Sequence, residues 1–190
     1  MQRAQQRLKI VVPLTLAIIF VLLYVHFGNI AETLIVLLTI PFAVVGGVWL
    51  MYFLGYNMSI AVAVGYIALA GLAVETGIVM LVYLDEVLER YKREGRLNSI
   101  QDIYKAIIEG AVMRVRPKLM TVATTLIGLL PIMIGNAFES GSSVMQRIAA
   151  PMVGGLITST ILTLLIIPAV YMVWKSWAFR REYSRSGEKA

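Results

Sequence analysis

One carboxylate, Glu75, lies in the middle of a long apolar run. The segment GYIALAGLAVETGIVMLVYL, residues 65–84, is apolar almost throughout and is long enough to cross a bilayer. An ionised carboxylate is costly at the membrane midplane, so such residues belong more often to ion or proton paths. The structural alternative is a buried, permanently protonated Glu75 that only hydrogen-bonds another helix. The residue type favours proton transfer, because desolvation brings protonation of a carboxylate within reach.

The residues around Glu75 are small. Positions 68, 71, 72, 75, 78, 79 and 82 share one face of a helix, which places Ala68 and Gly71 beside the carboxylate. Small side chains allow another helix to approach closely. We therefore expect a second helix to contact Glu75.

A basic segment, RVRPKLMT at residues 114–121, precedes another apolar run. Pro117 suits the first turn of a helix, where the lost N–H would have no partner in any case. From residue type alone, the three cations anchor this helix to lipid phosphates and Thr121 bonds its own backbone. The cations are Arg114, Arg116 and Lys118.

Met145 differs from most of the ten methionines because it falls in the polar stretch ESGSSVMQRIAAP. The others in or beside apolar runs are typical packing residues. A thioether suits soft ions such as copper(I) and silver(I), whereas zinc prefers histidine, cysteine or carboxylate ligands. One methionine does not make a metal site, so from the sequence alone Met145 is interpreted as a loop residue.

The composition indicates that these groups are held by membrane helices. Of the 190 residues, 59% are hydrophobic and 15% are charged, and the mean hydropathy is +0.80. Soluble domains are nearer 45–50% apolar and ~25% charged. The chain has no cysteine, which excludes disulfides and thiolate metal sites. The net charge of +6 is concentrated beside apolar runs, so it does not indicate nucleic-acid binding.

We predict an all-α membrane protein with five transmembrane helices. The predicted spans are 10–27, 33–54, 59–84, 118–136 and 149–174. Thirteen of the 17 basic residues lie in the third link or after Trp174, which is one side of a five-span chain. The positive-inside rule makes that side cytoplasmic and the N-terminus periplasmic. Three basic residues near Met1 oppose this orientation and suggest that another segment once preceded it.

The third link is predicted to contain a cytoplasmic amphipathic helix at residues 99–113. Ser99 and Asp102 have the spacing of a capping box, and apolar residues recur after them at helical intervals. This helix would lie on the inner membrane surface or against the spans. Residues 175–190 form a basic cytoplasmic tail.

Six segments carry a resemblance to one protein family. The segments, in chain order, are RAQQRLKIVVPLTLAIIFVLLY, PFAVVGGVWL, GYIALAGLAVETGIVMLVYL, GAVMRVRPKLMT, GLLPIM and VMQRIAAPMVGGLITSTILTLLIIPAVY. From about Met1 to Trp174 the chain resembles the last five membrane helices of heavy-metal efflux permeases of the resistance-nodulation-division (RND) superfamily. The resemblance is to the CusA-like copper/silver branch in particular.

The resemblance implies that the five spans are helices eight to twelve of a twelve-helix membrane domain, that is, its C-terminal half. The N-terminal half, both periplasmic domains and the acidic residues of the fourth helix would then lie outside this chain. We therefore expect the chain alone to be inactive as a pump.

The resemblance also assigns roles to residues. Glu75 matches a tenth-helix glutamate of the copper/silver branch, whereas the drug-efflux branch has lysine there. Arg114 and Thr121 match positions that drug-efflux relatives associate with the proton path, and Arg116 and Lys118 remain membrane anchors. Met145 matches a methionine that joins two others, from a domain absent here, around copper(I) or silver(I).

The expected function is that of the C-terminal membrane portion of a proton-driven copper(I)/silver(I) efflux permease in the bacterial inner membrane. The metal ion is cargo, the proton is the coupling ion and no cofactor is bound permanently. Family members act as trimers with a periplasmic adaptor and an outer-membrane channel. The alternative is a non-transporting module, from a truncated or split gene, that packs against an intact permease. An enzyme is not expected, since the sequence has no nucleophile–base pair, metal-ligand cluster or phosphate loop.

Overall fold

The computed structural model of the chain consists of five α-helices. It describes residues 2–97, 99–135 and 141–187, with side chains described for 10–97, 99–135 and 141–177. The helices are α1 Gln2–Phe27, α2 Ile30–Phe53, α3 Ile60–Arg93, α4 Ile100–Ile134 and α5 Ser142–Gly187. All five are long and apolar enough to cross a membrane. The predicted all-α membrane fold with five spanning helices is confirmed.

Short polar caps separate the first helices. Asn29 accepts a hydrogen bond from the Ala31 N–H at 3.2 Å, and Ser59 accepts one from the Val62 N–H at 3.4 Å. Ser99 and Asp102 form the predicted capping box, with the Ser99 N–H 3.0 Å from Asp102 Oδ2. Because these caps satisfy backbone donors that the first helical turn leaves unpaired, they fix where α2, α3 and α4 begin.

The predicted amphipathic helix at 99–113 is helical, but it is not separate from the fourth span. Residues 100–134 form one continuous helix, with Pro117 in its interior instead of its first turn. A proline inside a membrane helix is tolerated where neighbouring groups satisfy the freed carbonyl. At its start, α4 packs Ile103, Ala106 and Ile107 into the core. Of the two expected positions, at the membrane surface or against the spans, the structure shows the second.

Small residues bring α5 into contact with α2 and α3. A Cβ atom on Gly46 would lie 1.9 Å from Thr158 Oγ1 and 2.6 Å from the Gly154 carbonyl oxygen. A Cβ atom on Gly155 would lie 2.1 Å from Leu69 Cδ2. Only glycine permits these approaches, which place α2, α3 and α5 in one closely packed layer.

Two helices of this bundle remain largely uncovered. In the most apolar 18-residue stretch of α1 and of α4, only 6% of the residues are buried. The corresponding share is 39% in each of the other three helices. The helix α4 lies beside α3, and a Cβ atom on Gly110 would lie 3.2 Å from Leu84 Cδ2 and 3.5 Å from Val87 Cγ2. The groove between α3 and α4 therefore opens at the surface of the chain.

Candidate functional site: a polar cavity between α3, α4 and α5

A cavity of about 90 Å³ lies where α3 and α4 meet the middle of α5. Glu75 and Thr76 line it from α3, Arg114 and Thr121 from α4, and Thr163 from α5. The rest of the lining is mostly apolar, as in Leu72, Val79 and Leu164. A single water needs roughly 10–15 Å³ on this measure, so the cavity has room for several.

Glu75 lies on an exposed face of α3, together with Ala68 and Gly71. A Cβ atom on Gly71 would meet no atom within 4 Å. The small-residue face predicted from the sequence is therefore uncovered within this chain. Glu75 borders the cavity on one side and this open face on the other, so a further helix could reach the carboxylate.

Arg114 and Thr121 line the same cavity as Glu75. The Arg114 guanidinium carbon lies 4.5 Å from the centre of the Tyr83 ring, within the range of a cation–π contact. The Thr121 hydroxyl donates to the Pro117 carbonyl at 3.0 Å. The structure thus brings together Glu75 and the two residues that the family resemblance assigned to a proton path, while the roles themselves stay a prediction.

Lys118 is a cavity residue that the sequence analysis interpreted as a membrane anchor. Its ammonium group donates a hydrogen bond to Thr76 Oγ1 at 2.6 Å, and the side chain lines the cavity. Had Pro117 been placed inside a continuous helix, the spacing of Arg114, Lys118, Thr121 and Thr125 would have put all four on one face. Treating Pro117 as a helix start hid this signal.

The cavity combines one carboxylate, two cations and several hydroxyl groups in apolar surroundings. A carboxylate can bind and release a proton, and hydroxyl groups and water can carry that proton over short distances. The chemistry that this arrangement can perform is therefore the reversible binding of a proton.

Met145 does not line this cavity and lies in the first turn of α5. The helix begins at Ser142 instead of near 149, and the Met145 N–H donates to the Gly141 carbonyl at 3.1 Å. Met145 is therefore helical, whereas the sequence placed it before the span. Its side chain is 59% exposed. The described residues contain no group of three or more His, Cys, Asp or Glu side chains able to hold a metal.

A second polar cluster, which the sequence analysis did not identify, joins α2, α3 and α5 at the other end of α5. The Lys175 ammonium lies 3.3 Å from Glu32 Oε1 and 3.2 Å from Asp85 Oδ1. The Tyr171 hydroxyl, which is fully buried, donates to Asp85 Oδ1. We call these four residues the ion cluster. It fixes three helices to one another but does not line the cavity.

Two comparisons with known proteins concern metal efflux systems. The chain is 49% identical over 177 residues to the cation efflux system protein CusA of Escherichia coli (strain K12), covering 92% of the chain and 17% of that protein. It is 40% identical over 171 residues to the cobalt-zinc-cadmium resistance protein CzcA of Cupriavidus metallidurans, covering 90% of the chain and 15% of that protein. The chain thus spans about a sixth of the length of these relatives.

The fold agrees with a solved structure. A crystal structure of a heavy metal efflux pump superposes with a TM-score of 0.77 at 35% identity, covering 92% of this chain and 16% of that one. These matches confirm the resemblance to heavy-metal efflux RND permeases of the CusA-like branch. The family model for AcrB/AcrD/AcrF proteins matches residues 1–175. On this match over nearly its whole length, the chain belongs to the AcrB/AcrD/AcrF family.

Proposed function

We propose that this chain supplies proton-coupling helices to a heavy-metal efflux permease, and that its cargo is copper(I) or silver(I). The observation that carries the proposal is the cavity in which Glu75, Arg114, Lys118 and Thr121 meet between apolar helices. In this proposal Glu75 takes up and releases the proton. Arg114 and Lys118 supply positive charge beside it, and Thr121 contributes a hydroxyl group.

The chain acts here as part of a transporter and not as an enzyme, with no permanently bound cofactor. Its membrane partner is the remainder of a permease, which would cover the open face beside Glu75. By the family resemblance, that permease works as a trimer with a periplasmic adaptor and an outer-membrane channel. The second candidate is a non-transporting module that binds an intact permease through the same open face.

A chimera tests the function. Residues 1–175 replace the matching segment of E. coli CusA, and the chimera and the chain alone are each reconstituted into liposomes. We expect an imposed proton gradient to drive silver(I) transport by the chimera and not by the chain alone. A chimera that folds but does not transport, together with inhibition of intact CusA by the added chain, would favour the non-transporting module.

The proposal that the cargo is copper(I) or silver(I) rests on Met145 and on the similarity to the relatives. Identity is higher to CusA, at 49%, than to the cobalt-zinc-cadmium protein CzcA, at 40%. The Met145 thioether is exposed at one end of the bundle, and thioether sulfur prefers soft monovalent ions. Met145 would be one ligand of a site that other parts of the permease complete.

Replacing Met145 with Ile keeps bulk and apolarity but deletes the sulfur donor. We expect silver(I) to bind the purified chimera at least about tenfold more weakly, since a thioether ligand is lost. Stability should change little because the side chain is mostly exposed. Met152→Ile, a change at a half-buried residue of α5, is the matched control. Equal silver affinities for Met145→Ile and its parent would show that Met145 is not a ligand.

We also propose that α3 ends and α4 begins on the cytoplasmic side of the inner membrane. Basic residues concentrate at this end, in the link between α3 and α4 and after Trp174. The N-terminus would then be periplasmic and the C-terminus cytoplasmic. Cysteines introduced at Gly141 and Gly187 should react with an impermeant maleimide from opposite sides, Gly141 in intact spheroplasts and Gly187 only in inverted vesicles. The reverse pattern would overturn this orientation.

A further inference from the structure

The groove between α3 and α4 continues past the Glu75 cavity towards the basic end of the bundle. There it widens into a second compartment of about 410 Å³, which we call the outer groove. Tyr83, Glu86, Glu89, Arg90 and Arg93 line the outer groove from α3, and Met113 lines it from α4. The cavity and the outer groove therefore lie one after the other along the same pair of helices.

Three polar contacts connect α3 to α4 along this groove at regular intervals. The pairs are Thr76 with Lys118, Tyr83 with Arg114, and Arg90 with Glu109. On α3 the three positions are seven residues apart, which corresponds to about 10 Å of helix for each interval. The middle contact is the one between the two compartments.

Arg114 and Tyr83 belong to different compartments and touch each other. Arg114 lines the cavity with Glu75, whereas Tyr83 lines the outer groove with Glu86. We propose that this stacked pair is a gate between the Glu75 cavity and the outer groove, and that protons released by Glu75 leave through it. That the ion is a proton rests on the proposed function. The position of the gate rests on the geometry of the two compartments alone.

The gate acts through the charge of Arg114. While Arg114 stays stacked on Tyr83, its guanidinium charge repels a hydronium ion at the boundary. When Arg114 moves off the ring, the O–H bond of the Glu75 carboxyl breaks and its proton passes through water to a carboxylate in the outer groove. Glu86 is that acceptor, because it is exposed and no ion pair involves it among the described residues. Glu89, in contrast, is paired with Arg93 at 3.2 Å.

The absence of cysteine from the sequence permits a direct test on the full chain. Val79→Cys places one thiol in the Glu75 cavity, and Met113→Cys places one in the outer groove. The rate of reaction with a small cationic methanethiosulfonate is measured in membrane vesicles with the basic end facing the reagent. We expect Tyr83→Leu or Arg114→Gln to raise the Val79→Cys rate about two- to fivefold, the factor that corresponds to losing a cation–π contact at an exposed ring.

The controls separate the gate from general loosening of the helices. Tyr83→Phe keeps the ring and should leave the Val79→Cys rate unchanged, and Met113→Cys should react rapidly whether or not the gate is present. Unchanged Val79→Cys rates in both Tyr83→Leu and Arg114→Gln would overturn the gate, as would an equal rise in Met113→Cys. Because labelling uses no metal and no proton gradient, failure of the gate is distinguishable from failure of the proposed transport function.

Discussion

Replacing Glu75 with Gln should lower proton-driven silver(I) transport by the chimera by about 100-fold or more, while the protein still folds. The amide keeps the size and polarity of the side chain but cannot exchange a proton at physiological pH. Positioned acid–base groups commonly contribute 10²–10⁴-fold to a rate. Loss of the proton-exchanging group should therefore lower coupled transport by a factor in that range. Folding should be little affected because Glu75 is exposed in this chain and lines an open cavity.

Proton flux and silver flux are measured together in proteoliposomes, with protein amount and thermal stability recorded for each variant. Glu94→Gln is the matched control, because Glu94 follows the last residue of α3 and its carboxylate pairs with Arg96 away from the cavity. It should transport like the parent. If the Glu75→Gln protein still moves silver at the parental rate, Glu75 has a structural role and the proposed proton site is wrong.

The features that could be predicted from the sequence are those that a short stretch of neighbouring residues indicates by itself. Each spanning helix is an apolar run of sufficient length, and Glu75 is conspicuous because its neighbours in the chain are apolar. The face that holds Ala68, Gly71 and Glu75 also follows from helical spacing alone. Such local patterns do not depend on where the other helices lie, so they could be identified from the sequence alone.

The missed features depend on contacts between distant parts of the chain. Lys118 resembled a lipid anchor until its contact with Thr76, 42 residues earlier, placed it in the cavity. Glu32 and Lys175 each lie near the end of an apolar run, where charged residues usually meet water or lipid headgroups. Nothing in the local sequence around either residue indicates that the two are paired.

The ion cluster should contribute strongly to stability, and Lys175→Met should reveal it. The Lys175 ammonium is the cation that bridges Glu32 and Asp85, and the Glu32 side chain is only 6% exposed. Removing the cation leaves two carboxylates close together, one of them buried. Loss of one partner from a buried ion pair costs about 3–5 kcal/mol, and we expect a decrease of that size in the free energy of unfolding.

The decrease is measured by denaturant titration of the purified chain in detergent, with tryptophan fluorescence as the signal. Trp174 reports on the cluster directly, since Lys175 Nζ lies 4.7 Å from its ring. Arg93→Met is the matched control. It breaks an exposed pair with Glu89 and should cost less than about 1 kcal/mol.

A double variant distinguishes the cost of an unpaired charge from the loss of packing. Adding Glu32→Gln to Lys175→Met removes the most buried negative charge, so much of the lost stability should return. If the penalty came only from the packing of the lysine stem against Trp174 and Tyr171, Glu32→Gln would restore nothing. A Lys175→Met protein as stable as its parent would contradict the proposed stabilisation, and α2, α3 and α5 would then be held together by their apolar core and glycine contacts.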